Sequence, residues 1–228
     1  MEGASPIEVY LEIGQSRTFA AALDWPGWCR GGRDEASALQ ALFDYGPRYA
    51  RVLATTQLGF RAPSEPSALV VVERLMGNSG TDFGAPNLIP SRDRNPVDPG
   101  EVERWQEVLH ACWRTFDMAV QEATGKTLSK GPRGGGRELA KIIEHVRDAA
   151  AAYLANLGGK LKFSDEDEPA QTLAPLREAI LTTLIAAVRG ELPARGPRGG
   201  LRWPPRYFVR RLAWHDLDHA WEIEHRAG

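Results

Sequence analysis

Between Asp98 and Arg226 the chain repeats one pattern four times: a long stretch with apolar residues every three or four positions, set off by loops rich in glycine and proline. The first stretch opens "DPGE" (98–101). Asp98 can accept from the free N–H groups of the first turn, Pro99 lacks the N–H that would go unpaired there, and Glu101 completes a capping box. This helix is predicted to run to Thr124–Gly125, with Val102, Trp105, Leu109, Trp113, Phe116 and Val120 on one stripe. A second spans about Arg137–Leu157 after "GPRGGG", with Leu139, Ile142, Val146, Ala149 and Tyr153 apolar. A third covers about Leu173–Arg189, and a fourth follows "WPP" over about Arg206–Arg226. Four helices that each carry an apolar stripe bury it by packing on one another, so residues 100–228 are expected to form a four-helix bundle.

The first 76 residues read differently. "IEVYLEI" (7–13) alternates apolar and polar, the period of a strand, and Phe19, Ala21, Leu23 and Trp25 repeat it after a hairpin turn around Gly14–Arg17. "PGWCRGGRDEASALQAL" then breaks the strand, turns at Gly31–Gly32 and starts a helix capped by Asp34. Gly46–Pro47 kinks or ends that helix, a second piece runs to about Leu58, and "ALVVVERL" (68–75) is a third strand. The expected N-terminal domain, 1–76, is therefore α+β, of order β-β-α-β. Residues 77–99, rich in Gly, Pro, Asn, Asp and Ser, read as a linker or covering loop. The run Thr18–Leu42, with its Pro26–Gly27, its glycine pair and Asp34-Glu35-Ala36 opening a helix, resembles the HicB-like domain. That resemblance implies a partner-binding module of the kind found in antitoxins.

Composition narrows the class of function. A net charge of −2 gives no general pull toward nucleic acid, for which a basic stripe or high pI would be expected. The start, "MEGASPIEVYLEIG", is not a secretory signal, and no window approaches the roughly 18 apolar residues that cross a bilayer. Two cysteines, Cys29 and Cys112, suffice for neither a disulfide framework nor a cysteine zinc site. The expectation is a cytoplasmic protein acting on a small molecule, away from nucleic acid and membranes.

Histidine placement sharpens this. Of five histidines, His110 falls on the polar face of the first bundle helix and His225 in the last turn of the fourth, where a cation suits the helix dipole. His215 and His219 stand four apart in "WHDLDHAWEIEHR", on a face shared with Phe208, Leu212 and Ile223. Such a pair stacks on successive turns and can reach one ion. His145 lies at the edge of the second helix's apolar face, next to small Ala149 and Ala152. If the second and fourth helices are antiparallel, His145 and the pair lie at levels that agree to within about 2 Å, at about 1.5 Å per residue.

"RELAKIIEHVRDAAAAYL" followed by "RRLAWHDLDHAWEIEHR" resembles the DinB/YfiT-like four-helix-bundle metalloenzymes. The resemblance covers residues 100–228 and implies that His145, His215 and His219 ligate a divalent ion, zinc or nickel. It also implies kinship with thiol-dependent transferases and isomerases, among them mycothiol-dependent maleylpyruvate isomerase, and hence a low-molecular-weight thiol as cofactor. Three histidines leave a coordination position open, as in catalytic sites. Thiol-dependent transfer or isomerisation is the first expectation and hydrolysis the second. A non-enzymatic binding protein that uses the HicB-like part is the reading from another class.

Glu222, one turn beyond His219, is a candidate to orient that imidazole or carry a proton; a plain surface carboxylate explains it equally well. Asp216 and Asp218 are weaker candidates, because at least one must point away. "GPRGG" occurs at 131–135 and 196–200, mainly as helix-start punctuation, with Arg133 and Arg198 as candidate anion contacts. Finally, Trp214, Leu217 and Trp221 make the fourth helix apolar on its other side too. That face is expected to be covered by the N-terminal sheet or by a second copy in a homodimer.

Overall fold

Strand β1 (Ile7–Ile13) turns through a hairpin closed by the Gly14 N–H donating to Arg17 O at 2.8 Å and returns antiparallel as β2 (Thr18–Ala22). The structure, a computed structural model, describes residues 6–130, 136–164 and 167–228. Strand β3 (Cys29–Gly32) continues antiparallel on β2, and β4 (Leu69–Met76) pairs parallel with β1, giving the order β3-β2-β1-β4. A parallel partner needs a long crossover. Helices α1 (Glu35–Asp44) and α2 (Gly46–Leu53) lie within it, with the Ser37 N–H donating to the Asp34 carboxylate at 2.8 Å to cap α1. Val9, Leu11, Ala20 and Ala22 share a core with Ala38 and Leu42, whereas Tyr10, Phe19 and Ala21 share one with Trp214. The sheet is thus covered on both faces at β1 and β2, which is why every residue of β2 is buried.

Within residues 1–76, two details differ from the reading of the sequence. Gly31 and Gly32 lie in a strand, not at a turn. Their missing side chains allow close approach: a Cβ at Gly31 would sit 3.0 Å from the Phe19 ring, and one at Gly32 would meet the backbone of α1 at Ala38. Helix α2 ends at Leu53 instead of near Leu58, in a turn where Thr56 N–H donates to Leu53 O.

The segment 77–99 contains helix α3 (Ser79–Phe83) and a 3-10 turn at Ser91–Arg94, tied down at two buried carboxylates. Glu12 accepts from the Thr81 hydroxyl at 2.5 Å and from the Leu88 N–H at 2.9 Å. Asp93 accepts from Arg210 at 2.7 and 2.9 Å.

Four long helices follow: α4 (Pro99–Ala123), α5 (Leu139–Leu157), α6 (Pro169–Val188) and α7 (Pro205–Ala227). The capping box at Asp98 and Glu101 forms as read from "DPGE", and Arg206 holds Glu101 at 2.6 and 2.9 Å. Helices α5 and α7 are antiparallel. Trp203 N–H donates to Asn156 O at one end, and at the other Gly136, three residues before α5, lies against the Arg226 guanidinium, which a Cβ there would meet at 2.5 Å. On α5 the core is carried by Ile142, Val146, Ala150 and Leu154, while Ala149 and Tyr153 are half-buried and Ala152 is exposed. No helix among the described residues is long and apolar enough to cross a membrane.

Helix α7 is buried nearly all round. Trp214 meets Phe19 edge-on at 6.3 Å, Leu217 reaches Gly27, and Trp221 packs on Tyr45 at 5.1 Å. The N-terminal residues therefore cover the second apolar face. A fragment of residues 98–228 would expose both indoles and leave Arg210 without Asp93. It is expected to self-associate far more than the whole chain on size-exclusion chromatography. A monodisperse monomeric fragment would show that the cover is dispensable.

Candidate metal centre

His215 and His219 project from successive turns of α7, and His145 meets them from antiparallel α5. One ring nitrogen from each of the three lies within 4.8 Å of the others. Nε2 of His145 and Nε2 of His215 are 3.3 Å apart. Two nitrogens bound to one tetrahedral zinc at about 2.0–2.1 Å stand roughly 3.3–3.4 Å apart, so this pair already has the spacing of two ligands. The same distance is long for a hydrogen bond. The ring centroids of His145 and His219 are 4.9 Å apart and those of His215 and His219 4.6 Å. The donor set fits a divalent ion of the zinc type.

The surroundings keep lone pairs available. Burial, followed by the neighbouring His219 and His145, holds His215 well below the usual imidazole range. Burial also lowers His145. Glu222 accepts from Nδ1 of His219 at 2.9 Å, which leaves Nε2 as the free lone pair of that ring. Arg226 donates to the other Glu222 oxygen at 2.8 Å and to Ser129 O at 2.8 Å. The hydrogen bond from His219 is the main cause of the lowered Glu222 carboxyl. A carboxylate on the far nitrogen of a ligand histidine fixes its tautomer and direction.

Of the residues singled out from sequence, His145, His215, His219 and Glu222 come together. Asp216 is buried, and burial lifts its carboxyl to about 7. Asp218 faces away and pairs with Arg30 at 3.4 Å. His110 and His225 are exposed, with Trp113 and Arg48 as their respective neighbours. Arg198 is exposed beside Ala155, Asn156 and Arg202, and the structure does not bring it to the histidines. Arg133 lies outside the described residues. Sequence reading overlooked Arg226 and Tyr153. Arg226 is four residues after Glu222, a spacing that predicts an ion pair; Tyr153 lies two turns from His145, and its ring stands 5.6 Å from that of His215.

No family model matches this chain, nor does any curated protein or solved structure.

Proposed function

We propose that the protein is a metal-dependent enzyme of the DinB/YfiT-like kind, with His145, His215 and His219 holding one divalent ion, zinc or nickel. The convergence of three imidazoles from two antiparallel helices supports this reading most directly. When bound there, such an ion is a Lewis acid that lowers the pKa of a water or thiol. The chain's own part is to hold the ligands. Glu222, fixed by Arg226, keeps the His219 proton on Nδ1, and burial keeps His215 neutral. His145 is half-buried, the most accessible of the three, whereas His215 and His219 are buried.

The reaction best matched to this centre is thiol-dependent transfer or isomerisation, with hydrolysis second. Metal-loaded protein incubated with low-molecular-weight thiols and model electrophiles is expected to turn over. His145→Ala should lower the rate by at least about a hundredfold, because an open site needs all three ligands. Turnover that survives in His145→Ala would assign the chemistry elsewhere. A second reading, partner recognition through a HicB-like sheet, is favoured by the edge strand β4, where Val70, Val72 and Met76 are exposed. It predicts a protein with no turnover under any of these conditions.

A further inference from the structure

We propose that Arg211 forms the anion-binding half of a substrate site whose other half is the three-histidine group, and that the substrate is a small molecule carrying a carboxylate or phosphate next to an apolar body. The inference rests on the metal-centre reading for its catalytic meaning.

Arg211, His215 and His219 follow one another at four-residue intervals and so share a stripe of α7, each about 6 Å from the next along the axis. Tyr153 joins Arg211 to the histidines. Its ring stands 5.6 Å from that of His215, and the Arg211 Cζ lies 5.4 Å from its centroid. The Trp214 ring also lies against the guanidinium, its centroid 4.6 Å from Cζ, and the Trp203 ring stands 5.3 Å from that of Tyr153. Tyr153, Trp203, Arg211 and His145 are all half-buried, so each keeps part of its surface open to a ligand.

Charge separates Arg211 from its neighbours. Helix α7 carries four arginines, and three have carboxylate partners: Arg206 with Glu101, Arg210 with Asp93 and Arg226 with Glu222. Arg211 has none among the described residues; its backbone acceptor is the Pro86 carbonyl. A divalent ion held by the histidines would add positive charge one turn from Arg211. A guanidinium on an aromatic floor, one turn from the ligands and short of an anion, suits an oxyanion taken edge-on by its fork of N–H groups. The apolar body of the ligand would lie against Tyr153 and Trp203.

The test is calorimetric titration of benzoate and of phenyl phosphate into the full chain, metal-loaded and metal-free, with metal content measured in each sample. Wild-type protein should bind at least one probe, and which one identifies the oxyanion. Arg211→Met should weaken that binding about tenfold or more, the worth of one charge-assisted contact, with metal content unchanged. Arg211→Lys keeps the charge without the fork and should fall between. It also carries the comparison if Arg211→Met does not fold. Arg198→Met should bind like wild type. Arg211-dependent binding in protein that holds no metal would support the anion site and count against the metal reading alone. Equal affinity in wild type and both Arg211 variants, or no binding of either probe to wild type, would overturn the proposal.

Discussion

Arg210→Ala is expected to destabilise the protein by about 3–5 kcal/mol, the range for removing one partner of a buried ion pair. Arg210 and Asp93 are both buried, and the guanidinium donates two bonds to the carboxylate, at 2.7 and 2.9 Å. It also donates to the carbonyls of Ala22 and Leu23, at 2.8 and 3.0 Å. One side chain of α7 thus ties together the end of β2, the 3-10 turn of residues 91–94 and the bundle. The alanine variant leaves Asp93 charged in the interior and two carbonyls short of a donor. Urea denaturation of Arg210→Ala, Asp93→Ala and the double variant measures this. The double variant should lose much less than the sum of the singles, because neither charge is then stranded. A single-variant loss under about 1 kcal/mol would mean that the pair is open to water.

His215→Ala is expected to remove stoichiometric metal from the purified protein, whereas His110→Ala and His225→Ala should leave it intact. The contrast follows from position: His215 is buried with its Nε2 3.3 Å from that of His145, and the other two are exposed. Two remaining imidazoles cannot hold a zinc-type ion as three do. Glu222→Gln should be milder, with affinity falling about 10- to 100-fold, as for other carboxylates that orient a ligand histidine. Equal metal in His110→Ala and His215→Ala would refute the assignment.

What could be read from the sequence was what depends on neighbours in the chain. The Asp98 capping box, the Asp34 cap, the hairpin at Gly14–Arg17 and the His215–Glu222 stripe all involve residues within a few positions of each other. The grouping of His145 with the pair needed one further assumption, that α5 and α7 run antiparallel, and their ends meet accordingly. Strand β3 was missed because a glycine pair signals a turn when the chain is read alone; only the packing of Phe19 and α1 against those glycines accounts for it. Segment 77–99 reads as a linker or covering loop by composition, yet Asp93 meets Arg210 across 117 positions and Asn87 meets Glu12 across 75. No local periodicity carries such pairings. Arg211 was invisible for the same reason: what marks it out is that its companions on α7 found carboxylates, and for Arg206 and Arg210 that depends on how distant segments meet the helix.

The most direct test of the metal centre is elemental analysis of the full-length protein purified without a metal-affinity tag. The three-histidine reading predicts about one zinc or nickel ion per chain after extensive gel filtration. Protein that is folded, monodisperse and free of divalent metal, and that takes up none from added zinc or nickel, would contradict it.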